Sequence, residues 1–454
     1  IEIEGAVPET ASQDALSQLV PAQRTDLRGL LLALDRAAAD PRIEGLFARV
    51  ERPSMGWARA EEIRDAVVAF RESGKWAAVQ LDSASSNLAY YLASGFDEVF
   101  LSPPGQVGLI GLRVEQPFAR PLLERLGIQP QFVRRKEYKS AANMYTEDGY
   151  TESHREATRK LLGSFHGHIV EAIAEGRGLT RERVQELIDR GPYLASEALD
   201  QGLVDRIAYR DEVVDEISER VDAANAFVRW PRYLAGSGAT APGGAVAIVY
   251  ARGSIERGES GSSLLAGRSM GAETIARAVE RARRDPGVAA VVLRIDSPGG
   301  SYVASDLIRR EVARTVREKP VVASFGDYAA SGGYFIGMQA SRIVANDLTT
   351  TGSIGVVSGK LVTGGFWKDK LGVRFEGMQT GRNAELYSTR EPFDEEGWAR
   401  VNSLLDGIYR DFVSKAAKGR DLEYDRAEAL ARGRVWSGRD ARANGLVDEP
   451  GGLL

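Results

Sequence analysis

The second half of the chain alternates short β-branched runs with an amphipathic segment. The runs are "AVAIVY" (245–250), "VAAVVLRI" (288–295) and "PVVAS" (320–324). Their length and composition predict buried parallel strands. Between the last two, Ile308, Val312 and Val316 recur every four residues, with Arg and Glu on the other face, which predicts a helix. Ser305 is its expected N-cap. Strand, helix and strand in this order predict a βαβ unit of an α/β fold.

The same order of runs occurs in the first half, which indicates an internal duplication with a period near 244 residues. "YYLASGFDEVFLSPPGQVGLIG" (90–111) aligns without gaps on "YFIGMQASRIVANDLTTTGSIG" (334–355). Two further pairs agree: "LFARVERP" (46–53) with "VVLRIDSP" (291–298), and "ASEALDQGLVD" (195–205) with "SGRDARANGLVD" (437–448). Agreement at three separated places predicts two tandem copies of one domain.

The repeat places the domain boundaries. "LAGSGATAPGG" (234–244) lies between the copies and is rich in Gly, Ala, Ser and Pro, which is typical of a linker. We therefore predict domains at 1–225 and 245–454, joined by a linker at 226–244. Each domain has an ordinary size for a single core.

Composition narrows the chemistry that the chain can perform. Its 454 residues include no cysteine, which excludes disulfides, thiolate metal sites and cysteine nucleophiles. Only three histidines occur, without a zinc-protease signature, and the net charge of −5 gives no support to a nucleic-acid-binding role. We expect neither a metal nor a cofactor. No apolar run is long enough to span a bilayer, and the start "IEIEGAV" reads as a strand in progress, so we expect that a signal or anchor segment preceded it.

Two glycine-bearing turns follow neighbouring strands of the second half, at the sheet edge where α/β folds bind ligands. The first is "DSPGGS" (296–301), and the second is "YAASGGY", with Ser331 at the expected start of a helix. The free N–H groups of Gly300 and Gly332 could converge on one oxyanion, with Ser331 as a nucleophile between them. Tight turns without chemistry are the plain alternative.

A serine nucleophile needs a base, and the second half contains no histidine. His154, His166 and His168 all lie in one helical-looking segment of the first half, where solvated or packed roles are the ordinary ones. The other candidate is a lysine whose pKa is lowered by burial. Residue patterns alone do not show which lysine is buried.

The two copies differ where this chemistry would occur. Asn87 stands at the position that matches Ser331, and "ERPSM" stands where the second half has "DSPGG". The first half therefore lacks both the nucleophile and the glycine turn.

The whole chain resembles the long, tandem-domain family of signal peptide peptidase A (protease IV), bacterial Ser/Lys peptidases whose domains share the fold of the Clp protease and crotonase superfamily. The resemblance is carried by "VVLRIDSPGGS", "YAASGGYFI", "TGSIGV" and "VWSGRDARANGLVD" in the second half, and by "EYKSAANMYTEDGYTE" (137–152) in the first. It implies an α/β fold of two tandem Clp/crotonase-like domains.

The resemblance also implies roles for individual residues. Ser331 would be the nucleophile and Lys139, in "EYKSA", the general base. Gly300 and Gly332 would supply the oxyanion N–H groups, and Ser353, in "TGSIG", would orient the lysine. The matching stretch of the second half, "GRNAELYS", has no lysine, so one copy holds the base and the other the serine. The two would have to meet across a domain or subunit interface.

The function that follows is a serine endopeptidase acting on extended apolar peptides, such as cleaved signal peptides. The alternatives are a crotonase-type enzyme acting on acyl-CoA thioesters and a non-catalytic membrane-associated scaffold. The resemblance further implies a homo-oligomer, which we expect to be a tetrameric ring, and no nucleic-acid partner. It implies a location on the extracytoplasmic side of a bacterial cytoplasmic membrane, with association through a segment outside this sequence.

Overall fold

A computed structural model describes residues 1–10, 26–221, 227–236, 244–263 and 267–454. The strands of the first half are β1 (Glu2–Glu4), β2 (Gly45–Glu51), β3 (Trp76–Leu81), β4 (Glu98–Leu101), β5 (Gln106–Val107), β6 (Gln129–Arg135), β7 (Tyr193–Leu194) and β8 (Arg206–Ile207). Its helices are α1 (Leu27–Ala39), α2 (Trp57–Glu72), α3 (Asn87–Ala93), α4 (Arg120–Arg125), α5 (Asn143–Thr146), α6 (Glu152–Arg177), α7 (Arg181–Arg190), α8 (Ala195–Asp200), α9 (Arg210–Arg220) and α10 (Trp230–Gly236).

The second half repeats this order. Its strands are β9 (Ala245–Arg252), β10 (Ser254–Glu256), β11 (Gly261–Ser263), β12 (Gly267–Gly271), β13 (Val288–Ser297), β14 (Val321–Ala330), β15 (Arg342–Ala345), β16 (Thr350–Gly352), β17 (Val356–Val362), β18 (Val435–Ser437) and β19 (Glu449–Pro450). Its helices are α11 (Ala272–Arg284), α12 (Tyr302–Thr315), α13 (Gly332–Gly337), α14 (Glu395–Gly419), α15 (Tyr424–Leu430) and α16 (Gly438–Ala443), with one π-helical turn at Phe366–Lys370.

The two main sheets have matching topologies. The first is entirely parallel, in the order β1-β2-β3-β4-β8. The second contains the parallel order β9-β13-β14-β15-β19, to which β16 and β18 are added through β14. The small antiparallel pair β5–β7 of the first half corresponds to β16–β18. The predicted α/β fold class with two tandem repeats of βαβ units is confirmed.

Buried polar contacts repeat as well. Tyr90 and Tyr334 are both fully buried at matching positions, and their hydroxyls donate to the carbonyl oxygens of Leu203 and Leu446. A buried phenol needs such an acceptor, so the same packing requirement is met in the same way in both copies.

Helix α12 begins earlier than the sequence pattern predicted. Its N-cap is Ser301, whose hydroxyl accepts a hydrogen bond from the Ala304 N–H, so the prediction of Ser305 is wrong. Ser305 lies inside the first turn and donates to the Ser301 carbonyl oxygen instead. The four-residue apolar spacing in fact extends one turn earlier, because Ala304 is buried in the same core as Ile308 and Val312. The prediction began the helix at Ile308 and therefore placed the cap one turn too late.

The region between the copies contains a short helix within the predicted linker 226–244. In α10, Trp230 is buried and packs beside Gly29 of α1. Residues 222–226 and 237–243 lie outside the described residues, and the domain boundaries stay predictions.

A two-stranded ribbon joins the two halves. Strand β6 of the first half pairs antiparallel with β17 of the second over seven residues, from Gln129↔Val362 to Arg135↔Val356. Helix α2 also contacts the second half, where Asn346 donates to the Ala58 carbonyl oxygen. These contacts bring the end of β6 beside the edge of the second sheet.

Candidate active site

Ser331 stands at the junction of β14 and α13 in a strained backbone conformation. Its φ of 55° and ψ of −118° lie in a region that a non-glycine residue adopts at a cost of about 1–3 kcal/mol. Its N–H donates to the Gly352 carbonyl oxygen at 2.8 Å, and its side chain does not cap the helix. Space beside it is tight, because a Cβ on Gly333 would lie 2.5 Å from the Ser297 carbonyl oxygen. The Ser331 hydroxyl is therefore free for contacts outside its own helix.

The turn after β13 places the Gly300 N–H next to Ser331 and close to the Gly332 N–H, which follows β14. Gly299 and Gly300 have φ values of 109° and 154°, and a Cβ on Gly299 would lie 2.8 Å from the Gly332 nitrogen. Ile255 fixes the turn, because its N–H donates to the Gly299 carbonyl oxygen and its carbonyl oxygen accepts from the Ser301 N–H.

The N–H groups of Gly300 and Gly332 remain available. None of the described residues accepts a hydrogen bond from either of them. A Cβ built on Gly332 would lie 3.1 Å from the Gly300 nitrogen, so the two groups are neighbours. Two free donors on either side of a serine form the kind of site that stabilises an oxyanion.

Lys139 reaches the same point from the first half of the same chain. Its Nζ lies 3.0 Å from Ser331 Oγ, 2.9 Å from Ser353 Oγ and 2.8 Å from the Ser353 carbonyl oxygen. Lys139 is only 5% exposed, and burial lowers its pKa from 10.5 to about 7. Near neutral pH a substantial fraction of this amine is uncharged, as a general base must be.

Ser353 holds the amine with both its hydroxyl and its carbonyl oxygen. It follows β16 with a φ of 52°, and its N–H donates to the Arg434 carbonyl oxygen at 2.6 Å. The turn geometry therefore aims two oxygen atoms of one residue at one nitrogen.

Sequence reasoning missed the segment 432–434, which supports both Lys139 and Ser353. The Arg432 carbonyl oxygen accepts from the Tyr138 N–H, and a Cβ on Gly433 would lie 2.5–2.7 Å from the backbone and Cβ of Lys139. The available signal was the glycine in "RGRVW", directly before the motif "VWSGRDARANGLVD".

The register of the β6–β17 ribbon delivers the lysine. Lys139 follows β6 by four residues, Ser353 precedes β17 by three, and Arg135 pairs with Val356. The ribbon thus brings both residues to one end. The five residues singled out from the sequence, Ser331, Lys139, Gly300, Gly332 and Ser353, are all brought together.

The histidines have other partners. His154 Nδ1 lies 3.4 Å from the Asn143 side-chain nitrogen, and His166 Nε2 lies 2.7 Å from the Gln185 side-chain oxygen. His168 lies between the Tyr91 hydroxyl and the Arg439 guanidinium. In the described parts of the chain, none of the three contacts Ser331.

One group of side chains has the composition of a metal site. Ligand atoms of Glu61, His168 and Asp347 lie within 4.8 Å of one another. Arg439 and Arg442 both form ion pairs with Asp347 at 2.7 and 2.9 Å, so protein cations already compensate this carboxylate.

The matching position in the first half is occupied differently. The Asn87 side chain donates to the Gly111 carbonyl oxygen and accepts from the N–H groups of Ile110 and Gly111. Leu109 stands where the second half has Ser353. The first copy therefore fills this place with a structural amide.

Comparison with known proteins assigns the chain to a peptidase family. The family model for Peptidase family S49 matches residues 69–224 and 313–453. The chain is 35% identical over 427 residues to the chloroplastic serine protease SPPA of Arabidopsis thaliana, covering 92% of this chain and 63% of that protein. It is 32% identical over 449 residues to Protease 4 of Salmonella typhi, covering 94% of this chain and 70% of that protein. A solved structure of a ClpP1 mutant from Listeria monocytogenes aligns with 45% of this chain and 91% of that chain, at 14% identity and a TM-score of 0.29.

Proposed function

Because the chain belongs to peptidase family S49, we propose that it is a serine endopeptidase in which the Lys139 amine activates Ser331. The 3.0 Å separation of Lys139 Nζ and Ser331 Oγ carries the proposal. The two free N–H groups beside the serine and the lowered pKa of the lysine support it.

The reaction begins with the neutral amine of Lys139. As Ser331 Oγ attacks the peptide carbonyl carbon, the amine takes the hydroxyl proton, and a bond forms between Oγ and the carbon. The N–H groups of Gly300 and Gly332 donate to the oxyanion of the tetrahedral intermediate. The ammonium then gives its proton to the leaving nitrogen as the peptide bond breaks.

Deacylation repeats these steps with water. The amine takes a proton from water, whose oxygen attacks the ester carbon, and returns it to Ser331 Oγ as the ester bond breaks. The two Ser353 oxygens hold Nζ in place through both halves of the cycle.

The test is labelling and hydrolysis by matched variants. A fluorophosphonate probe should label the wild-type protein but not Ser331→Ala. Lys139→Ala should label slowly, and each variant should lose peptide hydrolysis by about 10³-fold or more. The double variant should be no worse than Ser331→Ala, because the two residues act as a unit. Substantial hydrolysis by folded Lys139→Ala would overturn the dyad.

The peptidase family match favours neither alternative function. A crotonase-type acyl-CoA enzyme would more naturally place a carboxylate at the oxyanion turn, whereas a lysine amine and a serine hydroxyl face each other here. A non-catalytic scaffold would not require a serine hydroxyl, a buried lysine amine and two free N–H groups to lie together.

We propose extended apolar peptides, including cleaved signal peptides, as substrates, a class that comes from the family resemblance. Peptides of equal length with apolar or charged residues around the cleaved bond provide the test. A preference for the charged set would overturn this proposal without affecting the dyad.

We further propose that the chain assembles into a homotetrameric ring through contacts that repeat those between its own halves. Residues 112–118 correspond to β17 at an offset of 244 residues. Residues 374–380 correspond to β6 at an offset of 245, because "LGIQ" (126–129) aligns on "LGVR" (371–374). Neither segment pairs with a strand in the described ranges. Because β6 pairs with β17 inside the chain, the two unpaired counterparts would pair between chains.

Apolar exposure supports this interface. Val114 is 51% exposed and Met378 is fully exposed. By the repeat, Val114 corresponds to Ser358 and Met378 corresponds to Val133, and Ser358 and Val133 are paired in the β6–β17 ribbon. Helix α12 supports the same interface, because its exposed Val303 corresponds to Ala58 of α2, which is buried against the second half. Apolar residues that are exposed here, while the repeat-related residues are buried between the two halves, indicate a surface that another chain covers.

The absence of cysteine from the sequence simplifies the interface test. Val114→Cys combined with Met378→Cys should give disulfide-linked oligomers up to a tetramer under mild oxidation. Val114→Cys with Gln379→Cys is the control, because a shift of one residue turns the side chain to the other face. A fully active monomer in sedimentation, without cross-linking in either variant, would overturn the ring.

For localisation, we propose the extracytoplasmic side of a bacterial cytoplasmic membrane, again from the resemblance. None of the helices in the described ranges combines the length and hydropathy of a bilayer-spanning segment. Fractionation of cells that express the complete natural gene provides the test, and recovery in the cytosol alone would contradict this location.

A further inference from the structure

Two acidic side chains lie just before the two turns that supply the N–H donors. Asp296 is the penultimate residue of β13, and Asp327 lies near the end of β14. The two strands pair as Ile295↔Phe325 and then Ser297↔Ala329, so β14 contains two extra residues between these pairs. Asp296 Oδ1 accepts the Tyr328 N–H inside this bulge. The bulge sets how far β14 advances before it reaches Ser331.

These carboxylates are held by a residue of the other half. Arg59 of α2 lies 2.8 Å from Asp327 and 3.3 Å from Asp296 through the same Nη2 atom. The backbone N–H of Arg59 also donates to Asp327 at 3.1 Å. Arg59 is 9% exposed, so its charge acts in a poorly hydrated place.

Gly56 allows this close approach. A Cβ at Gly56 would lie 2.0–2.2 Å from the carboxylate atoms of Asp327, so a larger residue there would displace this carboxylate or move α2 away. The start of α2 thus rests directly on the bulge of β14.

Without a cation, the two carboxylates would repel each other. Burial raises the pKa of Asp296, and the nearby Asp327 raises it further. Glu9 adds a third acidic group, 3.4 Å from Arg59 Nε. Two further cations act on Glu9: Arg294, which forms ion pairs with Glu9 and Glu62, and Arg252. The Arg59 guanidinium is the cation that forms ion pairs with both Asp296 and Asp327 among the described contacts.

We propose that Arg59 is a positioning residue for the peptidase reaction, which sets the relative placement of Ser331 and the Gly300 N–H by holding Asp296 and Asp327 together. It touches no reacting atom. This inference rests on the proposed function, since it assigns a role in assembling that site. It also makes activity depend on the docking of α2 onto the second sheet.

Kinetics separate positioning from mere stability. Arg59→Ala should lower kcat by about 10- to 100-fold, because small misplacements of reacting groups cost this much, while KM stays within about twofold. Arg59→Lys, which keeps the charge but not the forked geometry, should lose less. Adding Asp327→Asn to Arg59→Ala should recover part of the lost kcat, because it removes one of the repelling charges.

Arg64→Ala is the matched control. Arg64 is similarly buried on the same helix, but its guanidinium donates to the Ala172 carbonyl oxygen, away from both turns. Its replacement should lower stability and leave kcat near the wild-type value. A kcat of Arg59→Ala within twofold of wild type, or a double variant no better than the single one, would overturn the proposal. If Arg59→Ala does not fold, Arg59→Lys takes its place. A kcat of Arg59→Lys within twofold of wild type would then overturn the proposal.

Hydrogen exchange tests the inference independently of catalysis. In Arg59→Ala, the amides of residues 296–300 and 326–332 should exchange faster than in wild type, and in Arg64→Ala they should not. Unchanged exchange would overturn the positioning role. If Ser331→Ala proved fully active while exchange changed as expected, the proposed dyad would fail and the role of Arg59 in shaping the turns would stand.

Discussion

Replacing Lys139 by methionine should abolish activity and, at neutral pH, make the protein more stable. Methionine fills a similar space without an amine. Burial lowers the pKa of Lys139 from 10.5 to about 7. This difference means that charging the amine inside the fold is disfavoured by about 5 kcal/mol relative to water. A catalytic group that is costly to bury illustrates how function opposes stability.

The direction in which the free energy of unfolding changes with pH follows from proton binding at Lys139. Between pH 7 and 10.5 the unfolded chain holds more protons at this lysine than the folded chain, so the wild-type free energy of unfolding rises with pH. The slope is about 1.4 kcal/mol per pH unit, and at pH 7 the wild type is disadvantaged by about 4 kcal/mol. The hydrogen bonds of the amine to Ser353 stabilise the folded wild type by about 1–3 kcal/mol, which offsets part of this disadvantage. Lys139→Met should therefore gain about 1–3 kcal/mol at pH 7 and lose this advantage near pH 9.

Urea unfolding followed by tryptophan fluorescence, at several pH values from neutral to alkaline and one protein concentration, measures this. Ser331→Ala is the control, because it is equally inactive but keeps the amine, so its stability should follow the wild-type pH dependence. If the stability curves of Lys139→Met and wild type ran parallel over this range, the folded protein would keep Lys139 as well hydrated as the unfolded chain. The assignment of Lys139 as a neutral base would then lose its physical basis.

Three further predictions address the site and its first-half counterpart. The kcat/KM of the wild type should rise with pH to a plateau, with an apparent pKa near the value of about 7 for Lys139, and a midpoint above about 10 would contradict a buried base. Asn87→Ala should leave kcat within a few-fold of wild type, because that side chain only ties down the Ile110–Gly111 turn; a loss as large as that of Ser331→Ala in folded protein would misplace the chemistry. Gly433→Ala should lower kcat at least tenfold by displacing Lys139, whereas Gly445→Ala, with a similar positive φ but open space around it, should not; equal effects would mean that only backbone strain matters.

Local patterns were sufficient for the central strands and one helix. The β-branched runs and the four-residue apolar spacing act over a few residues, so these strands and the helix before β14 could be predicted from them. The duplication was visible because segments about 244 residues apart match, whereas the β6–β17 ribbon was not predicted. The N-cap at Ser305 was placed wrongly, because the prediction began the apolar face at Ile308 and not at Ala304. The strand bulge between Asp296 and Asp327 left no periodic signal.

The sequence by itself determined which reactive groups exist and which do not: a serine beside glycines in one copy, a lysine in the other, no cysteine, and no histidine in the second half. Only the tertiary structure decided that Lys139 and Ser331 meet within one chain, because the register of β6 on β17 sets their distance. It also decided the pKa of the lysine. Desolvation sums over atoms from segments far apart in the chain, such as Ser353 and Gly433, and no local pattern contains that sum.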